Sequence, residues 1–216
     1  GRAGLCEAQD GGVLAGAAAR PQSQSMFVRR LMHLSYAQLP RRKAGFMDIK
    51  EALDFVSPKV RDAALKTAAQ LEQLGVRHAL AGGLAVGAHG YIRATAVVDF
   101  LVGEEAFEHH GVLVTFRPGV PIEVDGVRID YLSPVALGPQ LEDVLDDPSL
   151  SQGLAVVPIE ALIYMKLRAR RRQDLLDVVE LINGGADVRR VRQYLEQYAS
   201  DLVMMFDGLV EEALNG

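Results

Sequence analysis

The sequence predicts an α/β (α+β) domain, a small mixed sheet flanked by helices and followed by a helical C-terminal part. Three observations predict it. Short apolar runs bounded by Gly or Asp recur between Val76 and Asp130. A Gly82-Gly83 pair joins the first of these runs to a short helical segment. From residue 134 onward the apolar spacing becomes helical.

Each element has its own signal. Ser57 followed by Pro58 is a helix start, an N-cap side chain with proline at the first helical position. Val60, Ala64, Ala68, Leu71 and Leu74 keep helical spacing, and Gly75 closes that helix. Val76 to Ala81 reads as a strand, Gly82-Gly83 as its turn, and the next residues as a short helix ending near His89-Gly90. Strands follow at Ala96–Val102 and Val112–Phe116, with a short helix at Glu104–Glu108 between them. Ile122–Val124 and Val127–Asp130 form a hairpin around Asp125-Gly126, a strong two-residue turn signal. Pro158 opens a long helix carrying Lys166 and Asp174, and amphipathic helices near 188–198 and 200–214 finish the chain. The expected division is a leader at 1–46, a core at 47–135 and a helical part at 136–216.

The leader differs in composition. It has seven Lys/Arg against Glu7 and Asp10, whereas the remainder has 16 basic and 26 acidic residues. It shows no sustained period, so we expect it to be disordered or a non-native extension, with Met47 as a natural start. The acidic body argues against broad binding to nucleic acid, which needs many phosphate-neutralising cations. One focused basic cleft stays compatible with it. Cys6 is the only cysteine, which excludes an intrachain disulfide and suits a reducing, cytoplasmic setting. Its five histidines show no helical metal-ligand spacing, and no apolar run approaches the length of a membrane span.

The chemistry gathers around two carboxylates. Asp99 sits in the apolar strand Ala96-Val97-Val98-Asp99-Phe100-Leu101-Val102, where a carboxylate is costly unless paired, metal-bound or solvated. Alternation along Val127-Arg128-Ile129-Asp130 puts Arg128 and Asp130 on one face, so Asp130 can join Asp99 on the open side of the sheet. Gly82-Gly83 permits close approach of backbone N–H groups to an anion. Two such carboxylates beneath a Gly-Gly turn suit Mg²⁺ or Mn²⁺ with a nucleoside triphosphate. His89, at a glycine-flanked helix end, reads as a structural cap rather than a base.

The stretch from Leu80 to Val102, with Gly82-Gly83, His89-Gly90, Arg93-Ala94-Thr95 and Asp99-Phe100-Leu101-Val102, resembles the signature of small nucleotidyltransferases. These include the abortive-infection (type IV toxin–antitoxin) toxins and related polymerase-beta-like enzymes. The run from Pro158 to Asp177 is similar to that family's Lys-x-x-Ala-x-Arg-x-x-Asp-x-x-Asp helix. The resemblance spans about Ala52 to Leu214. It implies a nucleotidyltransferase fold, with Asp99 and Asp130 as catalytic, metal-binding carboxylates. Gly82, Gly83, Arg93, Lys166 and Asp174 become nucleotide-binding, with Arg171 and Asp177 as secondary candidates. It further implies an RNA, protein or small-molecule hydroxyl as acceptor, and an antitoxin protein as partner.

One departure stands out. The first aspartate of the family's Asp-x-Asp falls at Val97, which cannot ligate a metal. This leaves a second reading, a catalytically inactive nucleotide- or partner-binding module of the same fold. A dinucleotide-binding fold is a weaker alternative, because the glycines at 82, 83 and 87 do not form Gly-x-Gly-x-x-Gly.

Overall fold

A computed structural model describes residues 56–108, 122–151 and 154–215, all within the compact unit Leu39–Gly216. The leader at 1–46, the strand expected at Val112–Phe116 and the pair His109-His110 lie outside the described residues.

Helix α1 (Pro58–Gln73) starts where the sequence places it. The Ser57 hydroxyl accepts from the Val60 N–H at 3.4 Å, a long capping bond. Its apolar stripe from Val60 to Leu71 is buried, and it packs on the central strands. Gly75, at φ +68°, ends the helix. Then come β1 (His78–Leu80), α2 (Gly82–Ala88), β2 (Val97–Val102) and a 3₁₀ turn at Glu104–Glu108. Strands β3 (Ile122–Val124) and β4 (Val127–Leu132) flank Asp125-Gly126, both with positive φ, the left-handed pair that a two-residue hairpin turn requires. Helices α3 (Pro134–Leu137) and α4 (Gln140–Asp146) follow.

From residue 134 the chain departs from the helical expectation. Ser149–Ser151 (β5) and Leu154–Val156 (β6) form a hairpin that joins the sheet. These three-residue strands are too short to show a period, and tertiary pairing decides their conformation. Strand β6 runs parallel to β1, and the ladder continues from the Val157 N–H to the Leu80 carbonyl at 2.9 Å.

The long helix expected from Pro158 is also divided. It becomes α5 (Ile159–Ala169) and α6 (Arg172–Asn183). Arg170 takes the left-handed conformation at φ 54°, and its N–H closes α5 on the Lys166 carbonyl. Arginine is a good helix former, so local propensity gives no warning of this break. Helices α7 (Val188–Tyr198) and α8 (Val203–Asn215) complete the chain as the spacing predicts.

The sheet order is β3-β4-β2-β1-β6-β5. Pairs β2–β4 and β1–β6 are parallel and the others antiparallel, so the sheet is mixed. Phe100, Leu101, Ile129, Leu162 and Leu167 are fully buried, with Phe100 and Leu101 on opposite faces of β2. Each such side chain contributes roughly 1.5–3 kcal/mol. Apolar packing on both faces of the sheet fixes β2, β4 and α5, three of the elements that carry the site.

Candidate active site

Strand alternation builds the floor of a cleft. Strands β2 and β4 pair in parallel with Val97 opposite Arg128 and Asp99 opposite Asp130. Val98, Phe100, Ile129 and Tyr131 turn into the core. Val97, Asp99, Arg128 and Asp130 line the other side, in a cleft of about 460 Å³. The two expected carboxylates therefore share one face of adjacent strands. Val97, two residues before Asp99, lies in the same cleft.

Gly82 and Gly83 form one edge. Gly82 has φ +57°, and a Cβ built on it would fall on the Asp99 carboxylate. Only glycine lets the backbone come this close to Asp99. The Ala81 N–H donates to the Asp99 carbonyl at 2.9 Å, which ties the turn to β2. A Cβ on Gly83 would sit 3.1 Å from the Thr95 hydroxyl, itself bonded to the Val97 carbonyl at 3.0 Å.

Helices α5 and α6 form the opposite wall, where the charges are paired. Lys166 is 6% exposed, and its Nζ lies 2.8 Å from both Asp174 Oδ1 and Asp177 Oδ2. Asp177 is fully buried. It accepts two bonds from Arg93, Nε at 2.7 Å and Nη2 at 2.9 Å, and one from Gln173 at 3.0 Å. Asp174 accepts from Arg171 Nε at 2.6 Å. The break at Arg170 makes this network possible. Residues eight apart in one continuous helix are separated by about 12 Å along its axis.

The electrostatics of the two walls differ. Burial raises the Asp99 carboxyl above the usual range, and the neighbouring charge of Asp130 adds to it, while Lys166 and Arg171 pull the other way. Burial also opposes ionisation of Asp174. There the hydrogen bonds from Arg171 and Lys166 prevail and hold the carboxyl below its ordinary value. At Asp177 burial is likewise outweighed, by bonds from Arg93, Lys166 and Gln173. Arg128 Nε donates to Asp130 at 2.9 Å.

All seven candidate residues, Gly82, Gly83, Arg93, Asp99, Asp130, Lys166 and Asp174, line this cleft. Arg93 and Lys166 enter it already engaged with carboxylates. Asp177, only a secondary candidate in the sequence, proves to be the hub of the helical wall. Its signal was the acidic i, i+3 spacing to Asp174, but its partner Arg93 lies 84 residues away. Glu104 and Glu105 are committed elsewhere, to Ser133 and Arg77. His89 caps α2 through its backbone and donates from Nε2 to the Val157 carbonyl at 2.8 Å. Burial lowers its pKa, as befits a structural imidazole. Among the described residues no cluster of three or more His, Cys, Asp or Glu is placed to hold a metal ion.

No protein-family model matches the chain, and no curated protein sequence matches it. Among solved structures, the chain is similar to an antigenic nucleotidyltransferase-like protein from Paracoccidioides brasiliensis. That similarity covers 70% of this chain and 93% of that one, at 15% identity and a TM-score of 0.38. No helix among the described residues is long and apolar enough to cross a membrane.

Proposed function

We propose that the cleft binds a nucleoside triphosphate with a divalent cation and transfers the nucleoside monophosphate to an acceptor hydroxyl. The observation that carries this reading is the pairing of Asp99 with Asp130, in register on adjacent strands and pressed against a glycine turn. The two carboxylates repel each other, and Arg128 engages only one oxygen of Asp130, so the pair can accept a further cation.

Asp99 and Asp130 would hold one Mg²⁺ or Mn²⁺. The ion would neutralise charge on the phosphate oxygens. The Gly82-Gly83 turn at the cleft edge would offer backbone N–H groups to the phosphates. In the transfer, the acceptor oxygen bonds to the α-phosphorus, the α–β bridging bond breaks and pyrophosphate leaves. By the family resemblance, Asp130 takes the acceptor's proton, and Arg128 fixes its carboxylate. Positioning and charge neutralisation supply most of the rate in such chemistry. The same resemblance supports an RNA, protein or small-molecule acceptor and a toxin role with an antitoxin partner, and the single cysteine suits a cytoplasmic setting.

Val97 favours a second reading. It stands on the cleft face two residues before Asp99, where the family's first carboxylate belongs. A module that binds nucleotide without turnover has the same walls. One experiment separates the two. Each α-radiolabelled NTP is supplied with Mg²⁺ or Mn²⁺ and a cell RNA and protein extract, to wild type, Asp99→Asn and Val97→Asp. Label transfer by wild type that Asp99→Asn abolishes supports the enzyme. Transfer only by Val97→Asp marks a lapsed enzyme. Nucleotide binding with no transfer by any variant leaves the binding module.

A further inference from the structure

Three consecutive arginines, Arg170, Arg171 and Arg172, cross the break between α5 and α6. In the sequence only the motif spacing singles out Arg171. In the fold only Arg171 lines the cleft. Arg170 spends its conformation on the left-handed turn, and Arg172 begins α6.

The cations of the helical wall are unequal in what they can offer an incoming anion. The Lys166 ammonium is buried, and two of its three donors are taken by carboxylates at 2.8 Å. Arg93 is forked onto Asp177. The Arg171 side chain is 77% exposed. Its Nε holds Asp174 at 2.6 Å, and its Nη2 makes only a long 3.5 Å contact. The outer edge of its fork therefore faces solvent at the cleft mouth, on the wall opposite the carboxylate pair. Its charge also reaches that pair, since both Asp99 and Asp130 act on it through space. Asp174 is 2% exposed and locked to Lys166, so it anchors Arg171 from one side and leaves the other side usable.

Building on the nucleotidyl-transfer reading, we infer that Arg171 is the triphosphate-binding cation of the helical wall. A guanidinium suits this place because one edge can stay on a carboxylate while the other meets phosphate oxygens.

The test is calorimetric titration of the full chain with each of the four NTPs and with inorganic tripolyphosphate, in Mg²⁺. Wild type is compared with Arg171→Gln, Arg171→Met, Arg171→Lys and Arg170→Gln, with melting curves run in parallel. The two uncharged Arg171 variants are expected to bind the triphosphate about 10- to 100-fold more weakly, the worth of one charged hydrogen-bonding contact. Arg171→Lys is expected to fall between them and wild type. Arg170→Gln, which removes a neighbouring charge outside the cleft, is expected to bind within about 2-fold of wild type, a bound that separates a contact from general charge. Unchanged affinity in the Arg171 variants overturns the inference and leaves the nucleotidyl-transfer reading standing. Equal loss in Arg170→Gln overturns it as well, because the effect is then general charge. Wild type that binds no triphosphate overturns both.

Discussion

The two walls of the cleft use carboxylates in opposite ways. On the helical wall Asp174 and Asp177 are buried and saturated by Lys166, Arg93, Arg171 and Gln173. On the sheet wall Asp99 and Asp130 face each other, and their proximity makes ionisation of Asp99 harder. The first arrangement is satisfied internally and holds α5, α6 and the loop at Arg93 together. In the second, Asp130 takes one bond from the exposed Arg128, whereas Asp99 is opposed by burial and by Asp130. Burial of charge therefore does not mark the site. What marks it is a carboxylate pair met by one exposed arginine rather than by a buried network.

This contrast can be broken from either side. The largest expected effect is on the helical wall. Asp177→Ala leaves Arg93 without its carboxylate and Lys166 with Asp174 alone, and is expected to cost about 3–5 kcal/mol, read by urea unfolding at neutral pH. A loss below about 1 kcal/mol, the worth of an exposed pair, would show that the network is not integral to the fold. Gly82→Ala comes next. The left-handed backbone costs roughly 1–2 kcal/mol with a side chain present, and displacement of Asp99 adds to that. Reduced stability with loss of nucleotide affinity is the expected pair of readouts. Asp99→Asn is expected to do the reverse to stability, raising it by about 0.5–2 kcal/mol because a half-buried, repelled charge is removed, while label transfer disappears.

The smallest effect concerns acid. Asp174 and Asp177 have folded pKa values below the ordinary 3.8. Their stabilisation is present above 3.8 and is lost as pH falls through the folded values. Arg171→Gln removes the foremost bond holding Asp174 down, so its acid unfolding midpoint, followed by circular dichroism, is expected to move to higher pH. An unmoved midpoint would place the depression of Asp174 on Lys166 alone.

Local signals made much of this legible in the sequence. Ser57-Pro58 and Asp125-Gly126 act through their own backbone preferences, and α1 and the β3–β4 hairpin form where they indicate. The common face of Asp99 and Asp130 follows from strand alternation. What escaped the sequence depends on distant pairing. The β5–β6 hairpin exists because β1 offers an edge to β6. The break at Arg170 runs against the helix propensity of arginine, and without it Lys166 could not reach Asp174. The hub role of Asp177 needs Arg93, which no helical period connects to it.

The seclusion of Lys166 has a chemical corollary. Lys59 is exposed and Lys66 half-exposed on α1, and both are open to amine-acylating reagents. Lys166 can be acylated only when the seam between α5 and α6 parts. Its modification in a peptide map would therefore clock the local opening of that seam, residue by residue, without any assay of activity.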